Sequence, residues 1–169
     1  MRDGAFHLLA RRRFLPLFAS QFLGAANDNL FKNALVILVV FRLGAQAGMP
    51  PQVLVTAAAG LFILPFFLFS ATAGQLADRL EKSGLMRLVK LAEVGIALLA
   101  AWALIEANVP GMLAALFLFG LQSTFFGPLK YAVLPEHLRE DELIGGNALI
   151  EGGTFLAILL GTIAGGVLV

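Results

Sequence analysis

Five long apolar segments constrain this chain most, because each is long enough to cross a lipid bilayer. A transmembrane helix needs about 20 mostly apolar residues to span roughly 30 Å of hydrocarbon. The predicted helices cover residues 14–42, 52–74, 85–105, 111–134 and 145–169. Only 14% of the 169 residues are charged, whereas a soluble domain carries about 25%. The sequence therefore predicts an all-α membrane protein with about five transmembrane helices.

Several kinds of chemistry are disfavoured by the residue types. The chain has no cysteine, which excludes disulfides, thiol catalysis and cysteine-ligated metals. Its two histidines, His7 and His137, lie far apart in the sequence, so no metal site and no cofactor are expected. The basic residues are few and scattered, and they indicate no nucleic-acid partner.

Basic residues in the short connections predict the orientation, because Lys and Arg are enriched in cytoplasmic loops. On one side lie Arg2, Arg11, Arg12 and Arg13 before the first helix, Arg79, Lys82, Arg87 and Lys90 around the connection between helices two and three, and Lys130 and Arg139 beside the last turn. The other side carries Arg42 and Glu106. We therefore expect residues 1–13 to be a cytoplasmic N-terminal segment.

The sequence ends inside an apolar run, residues 165–169, with no flanking charge or aromatic anchor. Membrane proteins usually finish with a polar tail. We therefore expect the 169 residues to be a truncated product, a fragment or a partial gene.

The first predicted helix carries ionisable residues where lipid is expected. At 1.5 Å per residue, Asp28 lies about 20 Å beyond Phe14, near the middle of the membrane. A charge at that depth costs roughly 2.5–3.5 kcal/mol on insertion scales. Asp28 and Lys32 together therefore offset most of what about fifteen Leu, Ile, Val and Phe residues contribute to insertion. Such a cost requires a structural or functional reason.

Helical spacing places these residues on one polar sector. Its members are Gln21, Gly24, Asp28 and Lys32, widened by Asn29 and Asn33. Asp28 and Lys32 are four residues apart and can partly neutralise each other. The sector is either a structural seam between helices or the wall of a water-filled substrate cavity. Ionisable residues inside membranes usually mark pathways, which favours the cavity.

Helices four and five carry related patterns. Helix four has a second polar stripe of Gly120, Ser123, Gly127 and Lys130, with Gln122 and Thr124 beside it. Lys130 either snorkels to the interface or binds an anionic head group, and either Glu93 or Glu151 can pair with it. On helix five, Gly161 and Gly165 have the small-xxx-small spacing that is typical of close helix packing.

A motif after the second predicted helix carries a family resemblance. Residues 74–79 read Gly-Gln-Leu-Ala-Asp-Arg, which resembles the cytoplasmic loop signature G-x-L-A-D-R of the major facilitator superfamily. The basic continuation is looser than in that superfamily, because residues 80–83 precede Gly84. The resemblance implies a gating loop that includes Gly74, Asp78, Arg79 and Arg87.

Two further motifs resemble the bacterial lysophospholipid transporter family. They are residues 21–35, which contain Asn27-Asp28-Asn29, and residues 127–138, which begin Gly-Pro-Leu-Lys-Tyr. The resemblance covers essentially the whole chain in the right order. It implies a twelve-helix facilitator that moves lysophospholipids, such as lysophosphatidylethanolamine, across the bacterial inner membrane by alternating access. The five helices would be most of its N-terminal six-helix half, and the C-terminal half would be a missing partner.

The polar stripes and the resemblance together suggest roles for residues and partners. Lysophospholipid would be the substrate in a cavity lined by Gln21, Asp28, Asn29, Lys32, Asn33, Ser123 and Lys130, with membrane lipids around the bundle. Asp28 would engage the amine of the head group or a cavity cation, and Lys130 would attract the phosphate. An acyltransferase/acyl-carrier-protein synthetase would act beside the transporter or be fused to it.

Two alternatives use the same residues differently. A facilitator that exports a drug or small metabolite would carry the same superfamily loop. An acyltransferase would need a histidine followed five positions later by aspartate, but Glu142 stands at that distance from His137 and Asp141 comes one residue too early. No serine nucleophile or glycine-rich phosphate loop accompanies them. We therefore expect no catalysis by this chain itself.

Overall fold

The computed structural model describes residues 5–43 and 50–169 as a bundle of five long helices. Arg2, which contributes to the predicted orientation, lies outside these residues. The helices are α1 at Leu15–Leu38, α2 at Pro51–Arg79, α3 at Lys82–Ile105, α4 at Val109–His137 and α5 at Glu140–Val167. A 3₁₀ helix, Ala5–Ala10, precedes α1, and a π-helical turn, Val39–Leu43, continues it. All five helices are long and apolar enough to cross a membrane, and the predicted all-α membrane fold is confirmed.

Helices α2 and α3 both extend further than the sequence pattern suggests. Helix α2 continues to Arg79, so residues 74–79 form its last turns and only Leu80 and Glu81 connect it to α3. The Glu81 carboxylate accepts hydrogen bonds from the backbone N–H groups of Ser83 and Gly84. This cap begins α3 three residues earlier than predicted. The same two hydrogen bonds hold the pKa of Glu81 below its ordinary value.

Helix α5 begins at Glu140, five residues before its predicted start. The backbone N–H of Arg139 donates to Glu142 Oε2 at 3.0 Å, and the N–H of Glu142 donates to the Arg139 carbonyl at 2.9 Å. These reciprocal bonds satisfy the first turn of the helix. Residues 140–144, which the sequence pattern predicts to be a loop, are therefore helical because the Glu142 side chain caps them.

Successive helices run in opposite directions between the two ends of the bundle. The starts of α1, α3 and α5 and the ends of α2 and α4 lie at one end of the bundle, which we call the N-terminal face. Lys82 and Glu136 form an ion pair of 2.6 Å across this face, from α3 to α4. We call the other end the opposite face.

Glycines allow the helices to meet backbone to backbone. Gly161 and Gly165 of α5 are buried, and a Cβ atom at either position would collide with the carbonyl of Ala26 or Leu30 on α1. Gly120 of α4 lies against the Phe62 carbonyl of α2 in the same manner. Because lipid gives helices little hydrophobic drive to associate, such close van der Waals packing is a principal source of their affinity.

The buried apolar side chains form two separate clusters. The cluster toward the opposite face includes Phe31, Leu35, Met112 and Phe119. The cluster toward the N-terminal face includes Phe14, Leu17, Val89, Phe126, Leu129 and Ile150. On α1, α3 and α4 the polar residues Asp28, Glu93 and Ser123 lie between the two clusters in sequence. The fold therefore encloses a polar layer between two apolar ones.

We predict that Gly161→Ala destabilises the bundle by roughly 1–3 kcal/mol, because the added methyl group must displace the α1 backbone. Gly152→Ala is the matched control on the same helix, since a Cβ atom there meets nothing within 4 Å. The free energy of unfolding of the purified protein in mixed micelles, measured by detergent titration, reports the difference. Equal stabilities for the two variants would contradict the close approach of α5 to α1.

Candidate functional site

A polar cavity of about 390 Å³ lies inside the bundle, and all five helices contribute to its wall. Its lining residues are Gln21, Gly24, Ala25, Asp28, Asn29, Lys32, Phe62, Phe66, Lys90, Gln122, Ser123, Phe126, Gly127, Lys130, Thr154 and Ile158. Six of the seven predicted cavity residues therefore come together: Gln21, Asp28, Asn29, Lys32, Ser123 and Lys130. The polar sector of α1 and the stripe of α4 face one another across this space.

Asn33 is the predicted cavity residue that does not line the central cavity. Its side-chain amide donates to the Thr162 carbonyl of α5 at 2.7 Å. Asn33 follows Asp28 by five positions, which is about 140° around the helix. It therefore faces α5 and tethers the two helices, as in the seam alternative for this sector.

The Asp28 carboxylate is the most buried ionisable group of the cavity, with 6% of the residue exposed. Its Oδ2 accepts a hydrogen bond of 2.6 Å from the Ser123 hydroxyl. Its Oδ1 is also buried and has no hydrogen-bond partner within residues 5–43 and 50–169. One carboxylate oxygen is therefore unsatisfied inside the membrane-spanning bundle.

Lys32 does not form a direct ion pair with Asp28 in the described part of the chain. Its ammonium instead donates to Asn29 Oδ1 at 2.9 Å and lies 5.3 Å from the centre of the Phe62 ring. The neutralisation suggested by the four-residue spacing is therefore indirect. Asn29, which also donates to the Ala25 carbonyl at 2.8 Å, holds Lys32 within the cavity wall.

Lys130 lies 3.6 Å from the Glu151 carboxylate of α5. Of the two possible partners, Glu151 is the one the structure selects, and the Tyr131 hydroxyl donates to the same carboxylate. The Lys130 side chain is 12% exposed and lines the cavity. The cation therefore stands inside the bundle with a counter-charge beside it.

Gln21 joins α1 to α5. Its Nε2 donates to the Ile150 carbonyl at 3.0 Å, and its Oε1 accepts from the Thr154 hydroxyl at 2.9 Å. The polar sector of α1 therefore combines both alternatives. Gln21 and Asn33 act as a seam, while Asp28, Asn29 and Lys32 form a cavity wall.

A charged network on α3 is the part of the site that the sequence pattern does not predict. Lys90 pairs with Glu93 at 2.7 Å, and Glu93 accepts a further bond of 2.8 Å from Gln122 of α4. The sequence places Lys90 with the loop cations, whereas it lies about 12 Å beyond the start of α3 at 1.5 Å per residue. The three-residue spacing of Lys90 and Glu93 is the signal that indicates a pair on one helical face.

The predicted gating residues lie apart from the cavity. Asp78, Arg79 and Arg87 are exposed at the N-terminal face, and a Cβ atom at Gly74 would meet nothing within 4 Å. In the ranges that the structure describes, none of the three charged residues forms an ion pair. The residues of the expected gating loop therefore make no charge pairs among the described helices.

Glu142 instead carries the ion pairs near the amino terminus. Its carboxylate accepts two hydrogen bonds from Arg13, at 2.6 and 2.8 Å. His137 ends α4, with its Nδ1 3.2 Å from the Val133 carbonyl. Glu142, which stands five positions after His137, thus caps α5 and binds Arg13 just before α1.

Helices of membrane-spanning length around a charged, partly buried cavity define a multi-pass membrane protein with a polar site inside its bundle. Sequence comparison finds relatives that are named lysophospholipid transporters. The chain is 31% identical over 154 residues to the lysophospholipid transporter LplT of Citrobacter koseri. It is 29% identical over 160 residues to that of Cronobacter sakazakii and 31% identical over 152 residues to that of Escherichia fergusonii.

These alignments cover 91%, 95% and 90% of this chain. They cover 36%, 37% and 35% of the relatives, so the chain spans little more than a third of their length. No family model and no solved structure matches the chain. The resemblance to lysophospholipid transporters that the motifs indicate is confirmed by these relatives.

We predict that Ser123→Ala destabilises the protein by about 1–3 kcal/mol, because it leaves both oxygens of a buried carboxylate without a direct partner. Ser20→Ala is the control, since among the described residues the Ser20 hydroxyl bonds only within its own helix, to the Leu17 carbonyl. Unfolding free energies in micelles compare the two variants. A loss for Ser123→Ala no larger than that for Ser20→Ala would contradict the assigned Asp28 contact.

Proposed function

We propose that this chain is part of a secondary transporter that moves lysophospholipids, such as lysophosphatidylethanolamine, across the bacterial inner membrane by alternating access. The observation that carries the proposal is the unsatisfied Asp28 carboxylate oxygen in a cavity that also contains lysines from three helices. The similarity to proteins named lysophospholipid transporters supports the choice of substrate.

The chemistry of the substrate matches the composition of the cavity. A lysophospholipid carries a phosphate and a single acyl chain, and lysophosphatidylethanolamine also carries an amine. Asp28 would receive the amine or a cavity cation, with Asn29 adding a hydrogen bond. Lys32 and Lys130 would attract the phosphate. The Phe62, Phe66 and Phe126 rings provide an apolar wall beside the acyl chain.

The architecture suits one half of a carrier that rocks about a site in the middle of the membrane. In this proposal the five helices are most of the N-terminal half of a major facilitator domain, and a C-terminal half is the partner across the cavity. Asp78 and Arg79 would then pair with that second half, because they are exposed at the N-terminal face. Such a contact would close one side of the carrier.

The N-terminal face is proposed to be cytoplasmic. Arg11, Arg12, Arg79 and Arg87 are exposed there, whereas the opposite face has Arg42 as its one described basic residue. An excess of Lys and Arg in short loops marks the cytoplasmic side of a bilayer. An acyltransferase/acyl-carrier-protein synthetase on that side would use the imported lipid, and we expect this chemistry to lie outside the 169 residues.

We predict that Asp28→Asn and Lys130→Ala each reduce uptake of labelled lysophosphatidylethanolamine at least tenfold. Each change removes a charge that would bind the head group, and a charge-assisted contact of this kind is worth roughly 1.5–3 kcal/mol. Uptake is measured in cells that express the full gene product carrying this sequence. Glu106→Gln, at an exposed position on the opposite face, serves as the control.

Competition separates this proposal from a facilitator for other cargo. Unlabelled lysophospholipids should compete with the labelled substrate, and small organic cations or drugs should not. Wild-type uptake by both cavity variants would remove the residue assignments. No uptake by the wild-type protein, or competition by small cations alone, would contradict the proposed substrate.

A further inference from the structure

Lys90 stands between two cavities. It lines the central cavity and also a second cavity of about 810 Å³, which we call the N-terminal groove. The groove lies between the first turns of α1 and α3 and the last turns of α4, and Arg12 and Arg87 contribute to its wall. Lys90 therefore lies at the junction between the central cavity and the N-terminal groove.

The ammonium group of Lys90 is held in place but not saturated. It donates to the Ser20 carbonyl at 3.0 Å and to Glu93 Oε2 at 2.7 Å. It also lies 4.0 Å from the centre of the Phe126 ring. An ammonium has three N–H donors, so two are engaged by these oxygens and the third remains for an anion. The side chain is 22% exposed, so a ligand in either cavity can reach it.

Positive charge predominates in the N-terminal groove. In the central cavity Lys90 and Lys130 are paired with Glu93 and Glu151, and the charge of Lys32 is balanced by that of Asp28. In the groove the carboxylate of Glu136 is already paired with Lys82 at 2.6 Å. Arg12 and Arg87 form no ion pair among residues 5–43 and 50–169. This distribution favours an anion over a cation in the groove.

The groove also has an apolar side. Leu17, Met86 and Val133 line it together with the two arginines. A ligand that suits it has an anionic group for the arginines and an aliphatic part for these side chains. A phospholipid with one acyl chain has both features.

We infer that Lys90 is a second binding station for the phosphate of the transported lipid. The phosphate passes from Lys32 and Lys130 in the central cavity to Lys90, and from there to Arg87 and Arg12 at the N-terminal face. Glu93 acts as a positioning residue, because its carboxylate fixes the Lys90 ammonium at the junction. This inference rests on the proposed function and extends it to a residue outside the predicted cavity set.

The test compares uptake efficiency, the ratio of maximal rate to KM, for lysophosphatidylethanolamine in the full gene product. Lys90→Gln removes the cation but leaves Glu93 without its counter-charge, so Lys90→Gln/Glu93→Gln is included as a balanced variant. Lys90→Arg retains the charge. Arg42→Gln is the control for the loss of a positive charge, because Arg42 is exposed on the opposite face and lines neither cavity.

Lys90→Gln and the balanced variant Lys90→Gln/Glu93→Gln should each lower uptake efficiency about tenfold, the effect of losing one charge-assisted hydrogen bond. Lys90→Arg and Arg42→Gln should remain within about threefold of wild type. A second readout is the binding of monoacylglycerol, which has the acyl chain and glycerol but no phosphate. Its affinity should be unchanged in the balanced variant, since the lost interaction is with the phosphate.

Two results would overturn the inference alone. One is an active wild-type protein whose balanced variant has the same uptake efficiency. The other is an equal loss of monoacylglycerol binding in the balanced variant, which would show that Lys90 and Glu93 only stabilise the bundle. If the wild-type protein takes up no lysophospholipid, the proposed function fails and the inference fails with it.

Discussion

The structure depends on how a carboxylate is accommodated inside the bilayer. An ionised group in hydrocarbon requires water, a counter-charge or hydrogen bonds in place of its lost hydration. Asp28 has one hydrogen bond, from Ser123, and one buried oxygen without a described partner. Because its helix faces a cavity and not the acyl chains, the remaining requirement can be met by water or by a ligand. The position of the cavity follows from this requirement.

Helix α1 can meet this requirement because one of its faces packs on α5 and another lines the cavity. Gly161 and Gly165 of α5 pack directly against the backbone of Ala26 and Leu30. Gln21 and Asn33 add hydrogen bonds from α1 to α5. Asp28, Asn29 and Lys32 are thereby directed into the interior. The close packing of α1 on α5 is thus what orients the charged face, and the glycines matter for the site although they do not line it.

Much of this arrangement is predictable from local patterns. Apolar length predicts the five helices, and the period of the α-helix places Gln21, Asp28 and Lys32 on one sector. Helix ends are less predictable, because the caps formed by Glu81 and Glu142 extend α3 and α5 into stretches that read as polar loops. A cap depends on one side chain and its backbone neighbours, and hydropathy does not register it.

The contacts between helices are beyond the reach of such patterns. Periodicity predicts which residues share a face, but not which helix that face meets. Because α4 packs beside α5, Lys130 pairs with Glu151. Because α3 packs beside α4, Glu93 accepts a hydrogen bond from Gln122. Asn33 is assigned to the cavity by its polarity alone, whereas its angle around α1 directs it to α5.

The central claim is that the ionisable face of α1 lines a wet passage. The chain has no native cysteine, so single cysteines can be introduced into the full gene product and probed with a membrane-impermeant thiol reagent. Ala25→Cys and Asn29→Cys, at the cavity wall, should react readily, and Leu23→Cys, whose side chain is exposed on the outside of the bundle, should not. Uniform inaccessibility of all three positions would contradict the account.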